Sequence, residues 1–258
     1  MHTGDAIKPT DTPSFFRRIA ALLVAASASA LISTPAQADD NGSRMSFFGS
    51  GTRVTGSGKL TSESRAVRGF QAIALRTSMT LMLRQGTREG IELRADDNIL
   101  PLIETTVVDR SGVPTLEITA KKGTSFSTSN PVVATIDLVT LRALSISGSG
   151  DVVGDALKTP GLSVAISGSG NVKLKQLNAD EVSAKVSGSG DIEFGGRATK
   201  LGVSISGSGD VKARGLEADD VTARKTLTVS IAGVGNVKYT GDATVKSSIA
   251  GRGNVSKQ

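Results

Sequence analysis

The sequence predicts an all-β chain of stacked strand–turn–strand units, a parallel β-solenoid. Three observations predict it. Nearly the same seven letters recur six times, as "ISGSGDV" from Ile146, "ISGSGNV" from Ile166, "VSGSGDI" from Val186, "ISGSGDV" from Ile205, "IAGVGNV" from Ile231 and "IAGRGNV" from Ile249. The starts recur at intervals close to twenty, with one longer step between Ile205 and Ile231, and a period of this size marks a repeat architecture. Around each motif apolar residues alternate. Leu162, Val164 and Ile166 share one face, as do Val172 and Leu174 beyond the turn, and period two means strand.

Taken from the N-terminus, residues 1–38 read as a secretory signal peptide. Lys8, Arg17 and Arg18 precede the apolar run Ile19–Ile32, and Ala36 and Ala38 form a small-x-small cleavage site. The run is shorter than a membrane span, and no later segment is long and apolar enough to cross a membrane. Cleavage after Ala38 leaves the chain from Asp39 to Gln258 and lowers the formal charge from +6 to +5, since three basic and two acidic residues are lost. Residues 39–59 are Gly/Ser-rich and read as a flexible lead-in. Residues 60–120 hold apolar alternations at "FQAIAL", "MTLMLRQG", "GIELRA" and "TLEITA". Between the last two, Asp97 or Asn98 is placed to cap one helical turn limited by Pro101, which would cover the open end of a sheet. The polar stretch 121–131 marks an internal boundary. Residues 132–258 carry the repeats, with a lead-in rung at Val132–Ile146.

Within each unit the glycines are expected to make the corner: Gly148 and Gly150, Gly168 and Gly170, Gly188 and Gly190, Gly207 and Gly209, Gly233 and Gly235, Gly251 and Gly253. A sharp corner needs positive φ or close backbone approach, and Gly allows both. The residue between them is replaceable, being Val234 and Arg252 in the last two units. Short polar links such as "QLNADE" and "GLEADD" connect the units. Hairpins are the less favoured reading because two-residue hairpin loops prefer Asn-Gly or Asp-Gly, whereas here the Asx follows the second Gly. A leucine-rich repeat would need an Asn three places after its last inward Leu and a longer return, and neither is present. In register, identical units bury Val/Ile columns that a lone unit could not.

Composition excludes several chemistries. The chain has no Cys, and its only His is His2, in the segment to be removed. That excludes disulfides, thiolate chemistry, His-dependent triads and histidine metal sites. With no Trp and a single Tyr, Tyr239, base stacking has few platforms, and no nucleic-acid partner is expected. The Gly-x-Gly turns lack the following helix that a phosphate loop requires. Calcium-binding glycine-rich repeats need a nine-residue period, which is absent. No cofactor is expected.

The segments "GFQAIAL", "LRQG" and "IELRADDNILPLIET", followed by serial "SGSGDV" and "SGSGNV", resemble the bacterial family called "putative auto-transporter adhesin, head GIN domain", over roughly residues 54–255. The resemblance implies a right-handed β-solenoid akin to pectin-lyase-like helices without their catalytic residues. It also implies an exported adhesion role at the periplasm, the cell surface or outside the cell. The chain departs from relatives at "LRTSM" (Leu75–Met79), where another Ser-Gly-x-Gly corner is usual. The longer step before Ile231 implies an inserted or degenerate rung. A translocator barrel is not expected after Gln258.

The expected function is a non-catalytic binding or adhesion module. The alternatives are a polysaccharide-acting enzyme on a β-helix and a purely structural envelope protein. The candidate ligand surface is a basic stripe of Lys173, Lys175, Lys212, Arg214 and Lys238, interrupted by Glu193 and suited to an acidic polysaccharide or another envelope component. Six Asx residues, Asp151, Asn171, Asp191, Asp210, Asn236 and Asn254, are expected to form a column. In it Asp191 and Asp210 are neighbours, the weak candidate for a cation or for a catalytic carboxylate pair. Lys246, Arg252 and Lys257 crowd the last strands and favour a monomer or weak dimer.

Overall fold

The computed structural model describes residues 51–214 and 226–258. The signal peptide, the start of the lead-in and the "GLEADD" link lie outside the described residues. Those described are all-β, with one 3-10 turn, Leu100–Leu102. The strands are β1 (Thr52–Thr55), β2 (Leu60–Arg65), β3 (Ala72–Leu75), β4 (Thr80–Gln85), β5 (Gly90–Asp96) and β6 (Ile103–Arg110). They continue with β7 (Val113–Ala120), β8 (Thr124–Ser127), β9 (Val133–Leu138), β10 (Ala143–Ile146), β11 (Asp151–Ile166) and β12 (Val172–Val186). The last are β13 (Ile192–Ile205), β14 (Val211–Arg214), β15 (Thr226–Ile231), β16 (Val234–Tyr239), β17 (Thr244–Ile249) and β18 (Arg252–Lys257). Sixteen belong to one sheet, and β1 and β8 form a second.

From β10 onward every pairing is parallel, each unit lying beside the one before it. The offset equals the sequence repeat: Val152 faces Val172, and Ile166 faces Val186. Two runs of strands result, joined by the long strands β11–β13. One run holds the residues before each glycine motif (β7, β3, β10, the ends of β11–β13, β15, β17). The other holds the residues after it (β9, β4, the starts of β11–β13, β14, β16, β18). Inward residues stack in columns. Leu75, Ile146, Ile166, Val186, Ile205 and Ile231 lie in one, all buried. Burying each such side chain stabilises by about 1.5–3 kcal/mol. No single unit could achieve this alone, which is why the chain repeats.

The early strands close one end. β5 runs antiparallel to β9 with β2 outside it, and β6 runs antiparallel to β7. β3 and β4 supply the rung against which the first repeat stacks, so that Leu75 lies beside Ile146 despite their distance in sequence. Thus "LRTSM" lies directly beside the first Gly-Ser-Gly corner, with the Ser147 and Asp151 N–H groups donating to the Leu75 and Met79 carbonyls at 2.9 and 3.0 Å.

Several expectations are corrected. The lead-in is ordered from Thr52, because β1 pairs with β8, which itself lies within the polar 121–131 stretch. The "QLNADE" link is strand: β12 runs unbroken through it, since Gln176–Glu181 continue the ladder with their neighbours. At the longer step Ile205 faces Ile231 directly, so among the described residues no rung lies between them, and residues 215–225 lie outside the described residues. The 3-10 turn has Ile99 at its N-cap, which makes no side-chain cap bond. Asn98 and Asp97 instead tie down the lead-in, through Asn98 to the Ser57 N–H (2.9 Å) and the Thr55 carbonyl (2.8 Å), and through Asp97 to the Ser57 hydroxyl (2.6 Å).

Candidate functional site

None of the twelve corner glycines has positive φ. Close approach is the reason for them. A Cβ on Gly168 would lie 1.9 Å from the Gly148 carbonyl oxygen, and one on Gly188 would lie 1.8 Å from that of Gly168. The second glycines are as tight, with Gly190 1.8 Å from the Gly170 oxygen. The first-glycine oxygen is there because the middle residue of the next corner bonds to it. Ser169, Ser189, Ser208, Val234 and Arg252 each donate their backbone N–H to the first-glycine carbonyl of the preceding rung, at 2.8–3.1 Å. Only backbone takes part, so Ser, Val and Arg serve equally at the middle place.

The Asx column is a hydrogen-bond ladder. The backbone N–H of Asn171 donates to Asp151 Oδ1 at 3.0 Å, that of Asp191 to Asn171 Oδ1 at 3.0 Å and that of Asp210 to Asp191 Oδ1 at 2.7 Å. Asn236 gives both its N–H and its Nδ2 to Asp210 Oδ1 at 2.7 and 3.1 Å. Asp151, Asn171, Asp191 and Asp210 each therefore supply the acceptor that the next rung's amide needs. Asp and Asn both carry that oxygen, which accounts for their interchange. No cluster of three or more His, Cys, Asp or Glu side chains able to hold a metal occurs among the described residues.

Register brings Lys173, Glu193, Lys212 and Lys238 into one column, as the stripe requires. Its charge is partly cancelled. Lys173 lies 3.4 Å from Glu193, and Lys175 Nζ lies 2.6 Å from Asp155. Lys212, Lys238 and Arg214 remain as its positive part. At the last rung Lys257 pairs with Asp242 at 2.6 Å, which raises the lysine pKa, while Ile249 is 43% exposed on the uncovered edge.

The opposite corner, where β11–β13 bend between the two runs, was missed by sequence reasoning. Here β13 is one residue short. The register slips between Leu174 and Leu177, so Gln176 has no partner in the next rung and Leu177 faces Gly196, whose φ is +106°. A recess of about 330 Å³ opens there, walled by Gln85, Lys158, Gln176, Asn178, Gly196 and Arg197. The signal was the interval between the third and fourth motifs, Val186 to Ile205, which is one short of the two before it. Near the N-terminal end, the buried Asp96 accepts from Thr128 Oγ1 (2.6 Å) and Asn130 Nδ2 (2.5 Å), and these bonds hold its carboxyl below the ordinary aspartate value.

This geometry defines a class: an all-β chain of in-register repeat units whose recurring motif bonds chiefly to its own copies. The chain belongs to the family "Putative auto-transporter adhesin, head GIN domain", whose model matches residues 69–257. It is similar to a solved "putative adhesin" of Bacteroides fragilis, at 25% identity and a TM-score of 0.64, covering 80% of this chain and 100% of that one. A "putative lipid binding protein" of Parabacteroides distasonis shares the fold at 19% identity and a TM-score of 0.54, with 80% and 100% covered. No curated protein matches the chain.

Proposed function

We infer that this protein is an exported, non-catalytic β-solenoid, right-handed as in pectin-lyase-like helices, that binds an acidic polymer of the cell envelope or of a neighbouring surface. The observation that carries the reading is the Asx ladder. The Oδ1 atoms of Asp151, Asn171, Asp191 and Asp210 are engaged by the amides of the following rung. Those bonds support a scaffold role for Asp191 and Asp210, the weak candidate pair for a cation or for catalysis. What varies from rung to rung is the outward surface, which is where a repeat protein places recognition. The chain's surplus of basic side chains favours an acidic partner. Family membership and the likeness to a "putative adhesin" support an exported surface role.

The test is retention of the protein, residues 39–258, on immobilised polygalacturonate against neutral dextran, over a salt series. Selective retention that weakens with salt is expected. Equal behaviour on both matrices sinks the binding reading. Release of shortened or unsaturated oligosaccharides, lost in Asp210→Asn, sinks the non-catalytic one.

A further inference from the structure

The basic stripe is a weak place for an acidic polymer, because two of its five cations already face carboxylates. The recess at the opposite corner adds side-chain amides to a cation. Its floor is fixed by Gln85, which holds the Lys158 backbone from both sides: Gln85 Oε1 accepts the Lys158 N–H at 2.7 Å, and Gln85 Nε2 donates to the Lys158 carbonyl at 2.8 Å. The Lys158 ammonium therefore stands on a positioned backbone. Register sets Lys158, Asn178 and Arg197 side by side on three successive rungs. At parallel-strand spacing the Lys158 and Arg197 backbones lie roughly 10 Å apart, with Asn178 between them. The missing residue in β13 leaves Gln176 uncovered, and Gly195 and Gly196 carry no side chains to fill the gap.

The same edge holds a second hollow. Gln85 Nε2 also donates to the Val139 carbonyl at 2.9 Å. Val139 lines a recess of about 340 Å³ with Arg68, Thr87, Arg88 and Glu89. Glu89 is engaged with the Gly69 N–H at 2.6 Å. The edge thus offers cations and amides in two neighbouring hollows, whereas the repeated corner is packed too tightly to admit even a methyl group.

We propose that this edge is a binding site for acidic polysaccharide, with one uronic acid unit seated in the recess of Lys158, Gln176, Asn178 and Arg197. The Lys158 ammonium meets the sugar carboxylate, and the side-chain amides of Gln176 and Asn178, which both donate and accept, meet ring hydroxyls. A lipid headgroup is the less suited occupant. Membrane docking needs exposed apolar side chains gathered beside the cations, yet among the described residues the exposed large apolar ones, Leu60, Met82, Val107, Val139, Val234 and Ile249, are spread through the chain; Val139 alone of these lines a hollow, and Leu157 and Leu177 of the recess are buried.

The proposal rests on the acidic-polymer reading above, and the experiment separates the two. Binding of polygalacturonate is measured for residues 39–258 and for three variants: Lys158→Gln with Asn178→Ala, Lys212→Gln with Arg214→Gln, and insertion of one Gln between Gly195 and Gly196. The insertion restores the interval of the earlier repeats and fills the recess. Melting curves identify any variant that fails to fold, and the exposed double substitution at 158 and 178 stands alone if the insertion does. A tenfold or greater loss in the 158/178 variant, against less than threefold in the 212/214 variant, is expected. Loss confined to the 212/214 variant overturns the recess and leaves the acidic-polymer reading standing. Wild-type protein that ignores polygalacturonate overturns both. Where the wild type binds phosphatidylglycerol vesicles instead and the 158/178 variant loses that binding, the edge is assigned to lipid.

Discussion

At the Gly-Ser-Gly corner each rung places the same backbone atoms on the one before. At the opposite corner residues 155–161, 175–181 and 195–200 differ from rung to rung in side chain, in charge and once in length. Both corners turn the chain through the same fold, yet they are constrained differently. In the first, a carbonyl oxygen stands within 2.2 Å of where each stacked Cβ would be, and no substitution avoids it. In the second, the ladder tolerates a lost residue, because a bulge absorbs the slip and Gly196 takes up the positive φ. Strict repetition here marks packing, and departure from repetition marks the surface open to a ligand.

The sharpest way to break this comparison is at the middle of the stack. Gly188→Ala should cost about 3 kcal/mol or more, because its methyl meets a backbone oxygen that the ladder holds in place. Urea unfolding measures it, and a loss below about 1 kcal/mol would show that the corner relaxes easily. Asp191→Leu should cost about 1 kcal/mol, as the Asp210 amide loses its acceptor and turns to water.

The Asp96 latch sharpens the contrast between the closed end and the repeats. Its carboxyl is lowered by the bonds from Thr128 and Asn130. A depressed aspartate contributes stability above its unfolded pKa, about 3.9, and that contribution is lost as pH falls through the folded value. Melting temperature should therefore fall below about pH 4. Asp96→Asn should flatten part of that acid limb, since an amide in its place does not titrate. An unchanged acid limb in the variant would remove Asp96 from the account.

The smallest effects should come from the positions held to be interchangeable. Asp210→Asn keeps the accepting oxygen and removes a like charge beside Asp191, so it should lie within about 0.5 kcal/mol of wild type. Calcium should leave the melting temperature unmoved. A calcium-induced rise abolished by Asp210→Asn would convert the ladder into a metal site. Ser189→Ala should be equally silent, because its part in the ladder is its backbone N–H.

The sequence by itself determined the all-β class, the corner positions and the family. Those rest on local rules: period-two burial, glycine where nothing else fits, and a repeat interval that stacking preserves. It also placed the Asx column, since equal spacing puts equal letters side by side. Only the tertiary structure decided why each letter is needed. Close approach and positive φ both call for glycine, and the carbonyl beside each missing Cβ separates them. Lys173 meets Glu193 and Lys175 meets Asp155 across neighbouring rungs, and side-chain reach, not spacing, decides whether such neighbours cancel. The rung of "LRTSM" is parted from the repeat it supports by two antiparallel excursions, so no periodicity could reveal that Leu75 lies beside Ile146. The recess is the subtlest case. An interval one short of its predecessors was visible in the letters, but a deletion becomes a cavity only when the rung before it keeps the residue that the next one lacks.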